Sequence, residues 1–281
     1  MPPFQGKNPE STAVRQLIRK HNITIIGEGN KTIIFGHGFG CDQQIWQHVA
    51  PAFTAQFKVV LFDYMGCGKS DLQAYNAEHY NHLQAYADDL IAICSGLGLK
   101  DSYFVGHSVS GAIAMLAAIE QPQLFKKIIA IGPSPRYLNE APHYNGGFND
   151  ADIVAMLDMM DRNYFEWTDH LAPLVLGSSD DASNMNELKQ TFLRAEPVIS
   201  RKFAMVTFYS DIRQQLKLIP VPVTILYCLE DVIVPLEVIH FLQQHIPRCK
   251  IRQLDATGHY PQLINPQAVI AAIQKDIESE G

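Results

Sequence analysis

The chain is short of positive charge, of cysteine and of long apolar runs, and each shortage excludes something. Lys and Arg number 22 against 29 Asp and Glu, a net charge of −7 in 281 residues. Nucleic acids and anionic membranes are held by clustered cations that displace counterions from phosphates, and no run of basic residues is present to do so. Five cysteines, Cys41, Cys67, Cys94, Cys228 and Cys249, are an odd number without C-x-x-C spacing. Reduced thiols in a cytoplasmic protein are therefore expected, rather than a disulfide framework or a zinc site. The opening Met1-Pro2-Pro3-Phe4-Gln5-Gly6 lacks the apolar core of a secretion signal, and no later stretch approaches the length that spans a bilayer. No export and no membrane association are expected.

What the chain has is 47% hydrophobic residues, enough for one large core. Short β-rich runs alternate with helical patterns: Ile23 to Ile26, Thr32 to Gly36, Lys58 to Phe62, Ser102 to Val105, Lys127 to Ile131, Val223 to Cys228 and Cys249 to Leu254. Thr32 to Phe35 and Ile128 to Ile131 are apolar without alternation, as strands covered on both faces are. Helices are expected at Leu83 to Ser95 and Ala268 to Ile277. The fold class is α/β, a mostly parallel sheet with helices on both faces.

The alternation breaks near Pro133, where Pro and Asn cluster, and helical periodicity without strands follows to about Lys202. This reads as an inserted helical cap over residues 134–202, with the core formed by 21–133 and 203–281 and a loosely attached extension at 1–20. The insertion is rich in aromatic and methionine side chains. Most of these serve to dock the cap, and some are expected to line a pocket above the carboxyl ends of the strands.

The most informative stretch is Gly106-His107-Ser108-Val109-Ser110-Gly111, between an apolar strand run and a helical run of small residues. A serine on such a turn needs small neighbours, so that its hydroxyl stands clear of a strained backbone; the pattern is the nucleophile elbow of α/β-hydrolases, with Ser110 in place of the usual last glycine. A serine hydroxyl needs a base to take its proton and a third group to hold that base. Both follow in the expected order, each past a strand: Asp231, preferred over Glu230 because it precedes Pro235 at the usual interval, and His259 in Gly258-His259-Tyr260-Pro261. Upstream, Gly36-His37-Gly38-Phe39-Gly40 follows the second strand, and the backbone amides of Phe39 and Val109 are the expected oxyanion donors.

Other motifs fail on inspection. Cys41 stands where a dinucleotide fingerprint needs its last small residue, and Asp63 where a phosphate loop ending at Gly68-Lys69-Ser70 needs its first glycine. His79 and His82 have no accompanying ligand set and mark a polar helix face. No cofactor and no metal are expected.

His37-Gly38-Phe39-Gly40-Cys41-Asp42-Gln43, Leu61-Phe62-Asp63-Tyr64, Gly106-His107-Ser108-Val109-Ser110, Gly132 to Asn139 and Gly146-Gly147-Phe148 resemble the RsbQ-like α/β-hydrolases, which include relatives of the plant karrikin and strigolactone receptors. The resemblance runs from about His21 to Ile277. It implies a cap of four helices over a deep apolar pocket, a triad of Ser108, Asp231 and His259, and pocket positions at Phe39, Tyr137 and Trp167, with Tyr137 bringing a hydroxyl where many relatives have Phe. It also implies slow hydrolysis of a small apolar ester, enol ether or lactone. Two roles are open: a metabolic esterase or cofactor-free haloperoxidase, or a regulator whose pocket is read by a protein such as a PAS-domain phosphatase. The regulatory role is the one expected. Haloalkane dehalogenases need a carboxylate where Ser108 stands.

Overall fold

The computed structural model describes residues 12–177 and 182–279. The first helix, α1 (Thr12–Lys20), precedes β1 (Thr24–Ile26), β2 (Lys31–Gly36) and β3 (Phe57–Leu61); α2 (Leu83–Gly96), β4 (Ser102–His107), α3 (Val109–Glu120) and β5 (Phe125–Ile131) follow. Four helices then intervene, α4 (Asp150–Arg162), α5 (Tyr164–Leu176), α6 (Ala182–Leu193) and α7 (Pro197–Phe208). The chain returns to β6 (Val223–Leu229), α8 (Leu236–His245), β7 (Cys249–Thr257), α9 (Pro261–Ile264) and α10 (Pro266–Glu278).

The seven strands form one sheet in the order β1-β3-β2-β4-β5-β6-β7, parallel except for β1, which runs against β3. Each strand covers a run that the sequence marks. Burial follows position: every residue of central β4 is buried, whereas β1 and β7, at the edges, keep many residues partly or fully exposed. Strands covered on both faces need not alternate, which is why Thr32 to Phe35 in β2 and Ile128 to Ile131 in β5 read as apolar without alternation. Parallel strands bring their carboxyl ends to one edge, and the turns after β2, β4, β6 and β7 meet there.

Two features depart from the sequence expectation. Residues 1–11 of the anticipated extension lie outside the described residues, but Thr12–Lys20 form a helix, held by ion pairs from Arg19 to Asp71 at 2.9 Å and Lys20 to Asp89 at 2.8 Å. Leu17 and Ile18 pack against the core from its inner side. So short a helix is marginal on its own and gains its stability from docking its apolar face. At the other boundary, α7 continues past residue 202 to Phe208, and an isolated bridge between Arg136 and Asp211 closes the base of the four-helix insertion.

The insertion has ordinary helix punctuation. A reciprocal cap between Asn149 and Asp152 starts α4, Asn163 caps α5, and Glu196 with Pro197 starts α7. Arg194, between α6 and α7, reaches Asp42 in the turn after β2 at 2.8 Å, tying the insertion to the sheet edge. Among the described residues no helix is long and apolar enough to cross a membrane.

Candidate active site

Ser108 sits between β4 and α3 with φ of 56° and ψ of −124°, a left-handed conformation that a side chain rarely adopts. Two constraints hold it there. Its N–H donates to the Ile131 carbonyl at 2.8 Å, and its carbonyl accepts from the Gly111 N–H at 2.9 Å. The turn closes only because Gly106 has no side chain: a Cβ there would lie 2.8 Å from the Phe104 ring and 3.0 Å from the Ser110 backbone.

The Ser108 Oγ lies 2.9 Å from His259 Nε2, and His259 Nδ1 lies 2.8 Å from Asp231 Oδ2. The other carboxylate oxygen, Oδ1, accepts the N–H groups of Ile233 and Val234 at 2.9 and 3.1 Å, which fixes the plane of the acid. With Nδ1–H donated to the carboxylate, Nε2 is left as the acceptor for the serine proton. Glu230, the alternative acid, is exposed and has φ of 59°, so it turns away from the histidine.

The backbone of His259 is held as firmly as its ring. Its N–H donates to the Val175 carbonyl at the end of α5 at 2.7 Å, and its carbonyl accepts from His107 Nε2 at 2.7 Å. Gly258 makes the first contact feasible, because a Cβ there would meet the Leu176 carbonyl at 2.8 Å. His107 is wholly buried, and desolvation together with nearby His259 holds it well below the ordinary imidazole range. It therefore serves as a neutral Nε2–H donor.

The loop after β2 is pinned by a second neutral histidine. His37 Nε2 accepts the Tyr64 N–H at 3.1 Å, which leaves Nδ1–H to donate to the Gly38 carbonyl at 2.9 Å. Burial lowers this histidine's pKa, against the pull of Asp63. Asp63 staples the same region by accepting the N–H groups of Gln43 and Lys69, each at 2.8 Å. The pinned loop carries Phe39, whose N–H is given to no acceptor among the described residues. Val109 opens α3, where a first-turn N–H has no intrahelical partner. Both amides are thus free to receive an anion beside Ser108.

Above Ser108 and His259 lies a cavity of about 410 Å³. Phe39, Tyr137 and Trp167 line it, with Met156, Leu171 and Phe208 among the further apolar walls. Tyr137 is buried, and its hydroxyl is 3.3 Å from Ser108 Oγ. Burial raises the phenol above its ordinary range, so it stays protonated. The seven residues expected from the sequence thus converge on one place.

Sequence reasoning does not reach the positioning roles of His107, Tyr64 and Val175. For His107 and Tyr64 a signal is present, since both stand inside motifs quoted above, but nothing local in sequence says that a buried histidine will hold another residue's carbonyl. His82, expected on a polar helix face, instead caps α2, its Nδ1 accepting the Ala85 N–H at 3.2 Å.

A family model for the alpha/beta hydrolase fold matches residues 31–266. The chain belongs to the α/β-hydrolase family. It is 36% identical over 261 residues to the Karrikin insensitive 2 receptor CA of Petunia hybrida, covering 92% of this chain and 96% of that one. Over 246 residues it is 38% identical to a strigolactone esterase of Pisum sativum, covering 87% and 92% of the two chains. Among solved structures, a hydrolase from Oleispira antarctica superimposes with a TM-score of 0.91 at 34% identity, covering 94% of this chain and 97% of that one.

Proposed function

We propose that this α/β-hydrolase is a slow serine esterase or lactonase with a regulatory, receptor-like role. The observation that carries the reading is the unbroken hydrogen-bonded series from Ser108 Oγ through His259 to Asp231, at 2.9 and 2.8 Å. Ser108 Oγ attacks the ester carbonyl as its proton passes to His259 Nε2, and Asp231 stabilises the imidazolium that forms. The oxyanion is received by the N–H groups of Val109 and Phe39. Collapse expels the alcohol, protonated by His259; in a lactone the alcohol stays attached to the acyl group. Water, deprotonated by His259, then cleaves the acyl-Ser108 ester.

The chamber supports the substrate class. Its walls are largely aromatic and aliphatic, and its volume of about 410 Å³ suits a small, compact ester or lactone. The regulatory part of the reading is supported by similarity to proteins named as receptors and as strigolactone esterases. The helices that roof the chamber also turn apolar side chains to solvent: Val154 on α4 is 44% exposed and Phe165 on α5 is 69% exposed. A signalling protein, such as a PAS-domain phosphatase, is the kind of partner this role requires.

A fluorophosphonate probe tests the catalytic part. It is expected to label the wild type once, at Ser108, and to leave Ser108→Ala unlabelled; equal labelling of both would refute the assignment. Turnover separates the two roles. A kcat far below the ordinary enzyme median of about 10 per second, with a persistent acyl adduct, fits a receptor, and a kcat at or above it fits a metabolic esterase.

A further inference from the structure

The turn that carries Phe39 is held from two sides. Gly38 to Cys41 form a four-residue turn, closed by the Cys41 N–H on the Gly38 carbonyl at 3.3 Å, with Gly40 at φ of 73°. Such a turn uses only its first carbonyl and its last N–H, so the Phe39 N–H is left over. On the core side, the His37 bond to the Gly38 carbonyl fixes the start of the turn. On the other side it meets the four-helix insertion.

The insertion grips it at three points. The Phe39 ring packs edge-on against Trp167 of α5 and against Phe203 and Phe208 of α7, at centroid distances of 5.9, 6.1 and 5.7 Å. At Gly40 a Cβ would lie 2.8 Å from the Phe192 ring of α6. Two residues on, Asp42 receives a fork from Arg194, Nε to Oδ2 at 2.8 Å and Nη2 to Oδ1 at 3.2 Å, and Nη2 also reaches Thr191 Oγ1 at 3.1 Å. Ring contacts set little direction, whereas two parallel N–H to oxygen bonds fix distance and angle together. The Asp42 side chain is 8% exposed, so the arginine balances a carboxylate largely withdrawn from water.

We propose that Arg194 is a positioning residue for the Phe39 N–H, which it holds beside Ser108 by fixing Asp42 at the end of the turn. The role rests on the hydrolase reading and adds that the oxyanion site is completed from the insertion. Without Arg194 in place, Ser108, His259 and Asp231 remain, but one of the two oxyanion donors is loosely presented. The bound ester gains little from the placing of that donor, and the tetrahedral anion gains much. The loss therefore falls on kcat and on mimics of the anion, and KM is spared.

Phenylboronic acid and benzyl alcohol separate the two cases. The boron takes on Ser108 Oγ as the serine proton passes to His259, and the tetrahedral boronate puts an oxygen where the oxyanion sits; benzyl alcohol enters the same chamber with no anion. Binding of each is followed by tryptophan fluorescence, and kcat and KM are read on p-nitrophenyl acetate. Arg194→Gln is expected to lower boronic acid affinity and kcat alike about tenfold, a fraction of what loss of a whole oxyanion donor costs, with benzyl alcohol affinity and KM within about twofold. Arg194→Lys keeps the charge without the fork and is expected to fall between; it is read in place of Arg194→Gln should that variant not fold. Asp42→Asn is expected to match Arg194→Gln, and the two together to add no further loss. A merely structural latch would lower both affinities equally, so an unmoved ratio of the two, or additive losses in the double variant, overturns the proposal. Wild type that binds the boronic acid no more tightly than Ser108→Ala does overturns the hydrolase reading and this role with it.

Discussion

Ser110 Oγ donates to the His37 carbonyl at 2.7 Å while it accepts the Tyr64 hydroxyl at 2.7 Å. The residue that departs from the usual elbow pattern therefore couples the turn that carries Ser108 to the loop that carries Phe39. The close fit is visible at Gly36, where a Cβ would lie 2.6 Å from the Ser110 hydroxyl. Losing the hydroxyl frees one end of that loop without touching substrate. Ser110→Ala is expected to lower kcat about tenfold to hundredfold with little change in KM, less than the loss of an oxyanion donor outright. Steady-state kinetics on one ester decides it, and full activity in the variant would contradict the coupling.

The series from Ser108 to Asp231 makes a graded prediction. Asp231→Asn preserves shape but offers His259 Nδ1 an amide, whose N–H favours the wrong tautomer. A loss in kcat of about ten-thousandfold is expected. His259→Ala should cost at least as much, and His259→Ala with Ser108→Ala should add almost nothing, because members of such a unit are not additive. Additive losses in the double variant would show that the residues do not act together.

Tyr137 yields a prediction of the opposite sign. The single proton of Ser108 goes to His259, so the Tyr137 hydroxyl must be the donor in its 3.3 Å contact with Ser108 Oγ. That contact draws electron density from the Ser108 oxygen, the proposed nucleophile. With a simple hydrocarbon ester, Tyr137→Phe is expected to speed the acylation burst about twofold to threefold, the long distance placing it at the weak end of neutral hydrogen bonds. A fall of the burst rate would instead mean that the phenol serves the transition state.

Stability should depend on pH through His37 and His107. Burial lowers both below the ordinary value of 6.5, so below that pH the unfolded chain binds protons that the folded chain refuses. The folded state is then penalised, and stability falls as pH drops from about 6.5, at up to about 1.4 kcal/mol per pH unit for each histidine, and is flat above. Urea midpoints between about pH 8 and pH 5 measure this. His107→Gln keeps an N–H donor and removes one titration, so it should roughly halve the acid slope. An unchanged slope would exclude His107 as a source.

Beneath β5, Lys127 and Asp276 form an ion pair at 2.7 Å, 2% and 0% exposed, and Asp276 also accepts from Thr224 at 2.9 Å. Removing one charge leaves the other buried and uncompensated. Lys127→Met is expected to destabilise the fold by about 3–5 kcal/mol, read from denaturant unfolding, without changing KM. A neutral result would contradict the pair's role in holding the fold.

The strands are legible in the sequence because parallel strands under helices are continuous apolar runs, as Ile128 to Ile131 is. The positions of Ser108, Asp231 and His259 are legible because each lies just past a strand end in a fixed order. α1 is not, since its helix is short and its stability comes from Lys20 and Leu17 meeting other elements. The bond from the Val175 carbonyl to the His259 N–H is hidden for a related reason. It depends on how the insertion is seated over the sheet, which no local pattern encodes.

The most direct measurement is a stopped-flow and intact-mass comparison of wild type and Ser108→Ala on a short p-nitrophenyl ester. The account predicts a burst of nitrophenol close to one equivalent in the wild type, an acyl adduct on Ser108 at early times, and slow release thereafter, with neither burst nor adduct in the variant. Retained turnover in Ser108→Ala would contradict it.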